Sequence, residues 1–149
     1  MFRIIGGVIL GFITLFVVTF FTFSGLFLAL GSNGAFHAGN FEVTAPWLVG
    51  SLVLGFIAAV LAGKVCSTVT AKPGPVVVLA ALVLILDLFA AFNPPQDRRT
   101  ERAGEVSMTD AIVNAREPTW FVFLMPLVAT AGVILGGRQR RAASFTPKA

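Results

Sequence analysis

The chain has 149 residues, of which 56% are hydrophobic and only 12% charged, with a formal net charge of +4. An average soluble domain carries about 25% charged residues, so this composition, with a mean hydropathy of +0.89, excludes an ordinary water-soluble globule. The cations fall in short clusters beside apolar runs, which fits lipid headgroups and not a nucleic-acid footprint.

Four runs approach or exceed the ~20 apolar residues needed to cross ~30 Å of hydrocarbon: about 4–30, 43–63, 76–92 and 118–136. None alternates with a period of two and each is longer than a strand, so helices are expected and not barrel strands.

The first run, residues 4–30, would extend ~40 Å as a helix. That predicts tilt, or an end projecting beyond the bilayer. Its apolar stretch far exceeds the ~7–15 residues of a signal-peptide core, so it is read as a permanent helix. Gly7 and Gly11 have GxxxG spacing, which permits close helix approach. Phe12, Phe16, Phe20, Phe23 and Phe27 fall on one face. That face is either a lipid or bundle-core surface, or a docking surface for a partner subunit or for flat pigment and quinone rings.

The first loop, 31-GSNGAFHAGNFE-42, has no Lys or Arg. His37 lies there beside Phe36 and Phe41 and is expected to be an ordinary loop histidine. A lone histidine cannot supply both axial ligands of a bis-histidine haem. Asn40, Glu42 and Thr44 make a polar entrance to the second run and are candidates to cap it. In the second run Ser51, Gly55, Ala59 and Gly63 recur every fourth residue, a small-residue seam that predicts a central helix. Just past it, Cys66 is the chain's single cysteine, which excludes an internal disulfide.

The third run, 76–92, contains the stretch 82-LVLILDLFAAF-92, with one carboxylate among apolar residues. Intramembrane carboxylates are costly and usually mark function. Asp87 lies five residues before Phe92, ~7.5 Å below that end of the helix. Ser24 and Ser51 reach about the same layer on other helices, so a hydrogen-bonded Asp87–Ser24–Ser51 cluster is expected. Other roles for Asp87 are an ion pair with an arginine of the third loop or of a partner, and a proton or cation site in a small carrier.

The third loop opens with 93-NPPQDRRTERAGE-105, polar and turn-rich. In 107-SMTDAIVNAR-116, Ser107 is an N-cap candidate with Asp110 three residues on, a variant of the capping box. Met108, Ala111, Ile112 and Ala115 form one apolar stripe, predicting a short amphipathic helix on the outer membrane surface. The fourth run has Thr119 and Trp120 at its outer edge, Pro126 inside, where a kink is expected, and Gly132 and Gly136 in GxxxG spacing. Tyrosine is absent, so Trp47, Trp120 and phenylalanines must fill the interfacial role. The tail, 138–149, holds Arg138, Arg140 and Arg141, suited to anionic headgroups.

With both termini in the cytoplasm, Arg3, Lys64, Lys72, Arg138, Arg140, Arg141 and Lys148 lie inside, and Arg98, Arg99, Arg102 and Arg116 lie outside. The positive-inside rule favours that orientation. The expected fold is an all-α, four-helix transmembrane bundle, residues 1–137, with a basic cytoplasmic tail.

The run 46-PWLVGSLVLGFIAAVLAGKV-65, an apolar third span and 118-PTWF-121 opening the fourth resemble small four-span bacterial inner-membrane proteins of unknown function. The resemblance covers roughly residues 1–137. It implies a four-helix fold in a bacterial cytoplasmic membrane and transfers no activity or site residues.

The sequence has no GxSxG, HExxH, P-loop or GxGxxG pattern, and no spacing that implies catalysis or a metal site. The expected role is therefore a non-enzymatic accessory or scaffold subunit of a larger membrane complex, such as a respiratory or photosynthetic assembly. It would have no cofactor of its own, with membrane lipid and other membrane subunits as partners. Alternatives are a small transporter or channel component using Asp87, acting as a homo-oligomer, and a lipid- or quinone-binding membrane protein.

Overall fold

The computed structural model describes residues 2–94, 99, 101 and 104–143, with side chains described up to 138. Its helices are α1 (Phe2–Ala35), α2 (Ala45–Thr70), α3 (Gly74–Phe92), α4 (Met108–Asn114) and α5 (Thr119–Ala143). Among the described residues only isolated bridges, and no strands, accompany them. Four of the helices are long and apolar enough to cross a bilayer. The fold is an all-helical, multi-pass membrane bundle.

The helices end where local chemistry ends them. α1 breaks at Gly31, whose φ of 65° and ψ of 174° suit only glycine. α2 starts at Thr44, whose side chain accepts from the Trp47 N–H. It runs past Gly63 to Thr70 because its polar end satisfies itself. Thr68 donates to the Lys64 carbonyl at 2.7 Å and Thr70 to the Cys66 carbonyl at 2.8 Å. The αL residue Ala71 then closes it, donating its N–H to Ser67. α5 continues through the buried Pro126, whose carbonyl accepts from Thr130 at 2.7 Å. It also continues beyond Gly136 into the basic tail as far as Ala143, so Arg138, Arg140 and Arg141 are helical.

Helix α2 is central, flanked antiparallel by α1 and parallel by α5, and α3 runs antiparallel along α5. The small residues sit at these crossings. Gly7 lies against Thr70, and a Cβ on Gly11 would stand 2.7 Å from Leu79 and 3.0 Å from Cys66. On the other side Gly63 meets the Val133 backbone and Gly136 meets the Val60 backbone. A Cβ on Gly132 would lie 2.8 Å from that of Ala59. Without water to drive them together, helices in lipid cohere through such close backbone approach.

Two cores result. Towards the end of the bundle where α1 starts and α5 finishes, an inner core joins Ala59, Ala62 and Cys66 of α2, Val76, Leu79, Ala80 and Val83 of α3, and Val133 of α5. Val8, Phe12 and Leu15 of α1 pack against it. The outer core is an aromatic cap of Phe27, Ala35, Phe36, Phe41, Val43, Trp47 and Ala111. Backbone bonds sew this cap together: Thr44 N–H to Ala35 O at 2.9 Å, Arg116 N–H to Phe41 O at 2.8 Å, and Val43 N–H to Arg116 O at 3.2 Å. The first loop thus pins the start of α2 beside the start of α5.

The short helix α4 begins at Ser107, whose hydroxyl accepts from the Asp110 N–H at 3.2 Å. Its apolar stripe divides. Met108, Ala111 and Ala115 pack into the aromatic cap, while Ile112 remains exposed alongside Val113.

Candidate functional site

Asp87 is the sole acidic residue in the four spans. It is exposed on the perimeter of the bundle. Its setting follows from how α3 changes neighbours along its length. In the inner half Val76, Leu79, Ala80 and Val83 are buried. In the outer half no residue is buried, and Leu84, Leu88 and Ala91 are half-buried. At about 100° per residue the second stripe lies roughly a quarter-turn from the first. At that level α3 meets α5, with the Phe92 and Phe123 rings edge-on at 5.4 Å. Asp87 is only about 40° round the helix from Val83. It therefore extends the stripe that is core-facing below, at a level where that core has ended.

At the same level α1 changes the core it serves. The α1 residues at the inner core are Val8, Phe12 and Leu15. Above them α1 leans onto the start of α2. A Cβ on Gly50 would lie 2.9 Å from Leu26, and Phe23 and Phe27 meet Trp47 with ring centroids 6.2 and 6.3 Å apart. The parallel helices α1 and α3 share the inner core, while above it α1 contacts α2 and α3 contacts α5, and Asp87 is exposed on α3 at that level.

The expected Asp87–Ser24–Ser51 cluster does not form. Ser24 donates to the Phe20 carbonyl at 2.6 Å and Ser51 to the Trp47 carbonyl at 2.6 Å. A helical hydroxyl reaches its own i−4 carbonyl without ordering a second helix, so the local bond wins. Thr14 and Thr22 of α1 do the same. No hydrogen bond or ion pair reaches Asp87 among the described residues.

The phenylalanine stripe of α1 is divided by the same change of neighbour. Phe12 serves the inner core, while Phe23 and Phe27 serve the aromatic cap. Between them Phe16 and Phe20 are left outside, 68% and 51% exposed. In the seam of α2, Ser51, Ala59 and Gly63 are buried, and Gly55 faces Met125 of α5. Arg138 is exposed, and the side chains of Arg140 and Arg141 lie outside the described residues.

Sequence spacing gave no sign of the aromatic cap or of the half-open pocket on its flank. His37, Glu42, Arg116, Glu117 and Pro118 line that pocket. The available signal was density of aromatics, with Phe36, Phe41 and Trp47 inside twelve residues. Within the cap the Trp47 Nε1–H is buried without a hydrogen-bond partner. Asn114 is also buried, and its Oδ1 accepts from the Arg99 N–H at 2.8 Å.

No protein-family model, curated protein or solved structure matches the chain.

Proposed function

We propose that the protein is a non-catalytic accessory subunit of a larger membrane complex, seated in a bacterial cytoplasmic membrane with both termini in the cytoplasm. The observation that carries this is the position of Asp87. A carboxylate on the lipid-facing perimeter is costly, and a neighbouring subunit would cover it. The inner core and the aromatic cap make the rest of the bundle self-sufficient, as a scaffold requires. The exposed Phe16 and Phe20 widen the apolar surface open to a neighbour. Contact with a pigment or quinone ring there would be incidental to the complex.

In this orientation Ile112, Val113 and Trp120 stand at the outer membrane surface, and Arg138, Arg140 and Arg141 meet anionic headgroups at the inner one. The competing role, a small transporter or channel component, uses the same Asp87 as a proton or cation site.

Native electrophoresis in mild detergent, with mass spectrometry of the band, separates the two. A band of several hundred kilodaltons containing other subunits supports the accessory role. A band at one to a few copies of the 15.7 kDa chain overturns it and favours transport.

A further inference from the structure

We infer that the exposed side of α3 at Asp87 is the docking site for a transmembrane helix of a partner protein, and that this helix carries an arginine or lysine at the depth of Asp87. A partner there presupposes the accessory role proposed above.

The shape argument comes first. Below the level of Leu15 and Val83, α1 and α3 share a core with α2 and α5. Above it α1 leans on α2, through Leu26 at Gly50 and Phe27 at Trp47, while α3 stays with α5 through Phe92 and Phe123. Neither set of contacts covers Asp87, although it continues the α3 stripe that is buried below, so one more helix can pack there from the lipid.

Charge then selects the occupant. Asp87 lies about 7.5 Å below the helix end. Snorkelling to the interface belongs to long side chains such as Lys and Arg, not to a short carboxylate. The basic residues of the described spans are Arg3, Lys64 and Arg138, all at the opposite end of the bundle. The outer hydroxyls are bonded to their own helices. A second copy of this chain would bring a second Asp87 and no cation at that depth. The complement missing among the described residues is a cation, carried into the outer leaflet by a helix of different sequence.

The test uses the full chain, co-expressed with single-span Leu/Ala helices of fixed orientation, with association read by energy transfer between fluorescent fusions. One probe carries Arg at the depth of Asp87, a second carries Leu there, and a third carries Arg in the inner leaflet. The first should associate about five- to thirtyfold more than the second, as expected for one polar contact between membrane helices. The third should match the second. Asp87→Leu should abolish the preference and Asp87→Glu should retain it. Asp87 is exposed, so both variants should fold, as judged by a single detergent-solubilised peak.

Equal association of the Arg and Leu probes overturns the inference; it is the result expected if a lipid headgroup or an arginine of the chain's own loop covers Asp87. A preference that survives Asp87→Leu, or that ignores depth, overturns it too. A large native complex without the arginine preference would leave the accessory role standing and remove this docking site. A small native band with the preference intact would remove the accessory role, and the partner with it, and leave Asp87 only a cation preference.

Discussion

Gly63 of α2 lies against the backbone of Val133 in α5, and Gly136 of α5 lies against the backbone of Val60 in α2. The contact is reciprocal, and on each side the neighbour is main chain, which cannot swing aside as a side chain can. Gly63→Val should therefore push the helices apart and cost about 1–3 kcal/mol, the usual range for overpacking. Gly136→Val should do the same. Gly25 has nothing within 4 Å of where a Cβ would be, so Gly25→Ala should gain up to about 1 kcal/mol from helix propensity alone. Unfolding midpoints in mixed-detergent titrations would show this ordering. Equal midpoints for Gly63→Val and Gly25→Ala would mean that α2 and α5 do not touch in this way.

How far the sequence discloses this arrangement depends on the feature. The four spans are legible because hydropathy reports burial in lipid directly. The four-residue spacing of Ser51, Gly55, Ala59 and Gly63 is legible as a seam, but spacing does not say which helix fills it; α5 does, and α1 approaches through Gly7 and Gly11. The Asp87–Ser24–Ser51 cluster misleads because counting residues gives depth and not azimuth. Side chains at one level can face different neighbours, and each serine had a carbonyl closer to hand. The aromatic cap is hidden because it joins the first loop to the third through backbone bonds between residues some 75 positions apart.

Backbone conformation sets a second pair of expectations. Ala71 ends α2 at φ 55°, the left-handed region in which a Cβ is strained. Relief of that strain by Ala71→Gly is partly offset by the greater freedom of glycine in the unfolded chain. The net should be a gain of about 0.5 kcal/mol. Gly31 sits at φ 65° and ψ 174°, a combination that costs other residues about 1–3 kcal/mol. No neighbour crowds position 31, so a loss in Gly31→Ala reports backbone strain alone. Thermal melts in detergent should move in opposite directions for the two variants, and movement in the same direction would contradict the dihedrals.

The two tryptophans differ in a way that fluorescence reads separately. Trp47 is 9% exposed inside the aromatic cap and Trp120 is 60% exposed at the start of α5. A Trp120→Phe protein, reporting only Trp47, should resist quenching by both aqueous acrylamide and brominated lipid. A Trp47→Phe protein, reporting Trp120, should be strongly quenched. Trp47→Ala should cost about 3–5 kcal/mol, as large aromatic truncations do. Trp47→Phe should cost far less, because the lost Nε1–H makes no hydrogen bond and the ring contacts with Phe23, Phe27 and Phe36 are kept in part. Equal costs for the two substitutions would mean that the ring contacts with Phe23, Phe27 and Phe36 do not hold the cap together.

Orientation is the premise on which the outer position of Asp87 depends, and it is open to labelling from one side of the membrane. Cys66 is buried, and Cys66→Ala removes only its sulfur, which gives a background without thiols. Ala38, in the loop between α1 and α2, and Lys72, between α2 and α3, are both exposed. Single cysteines at these positions lie on opposite sides of the membrane whichever way the bundle is inserted. With the N-terminus inside, an impermeant maleimide should label Ala38→Cys in intact cells and Lys72→Cys only after lysis. The reverse pattern would put Lys64, Lys72 and Arg138 outside and the arginines of the third loop inside, against the positive-inside rule. Asp87 would then lie in the inner leaflet, so the cation expected of a partner helix would have to sit near the cytoplasmic surface.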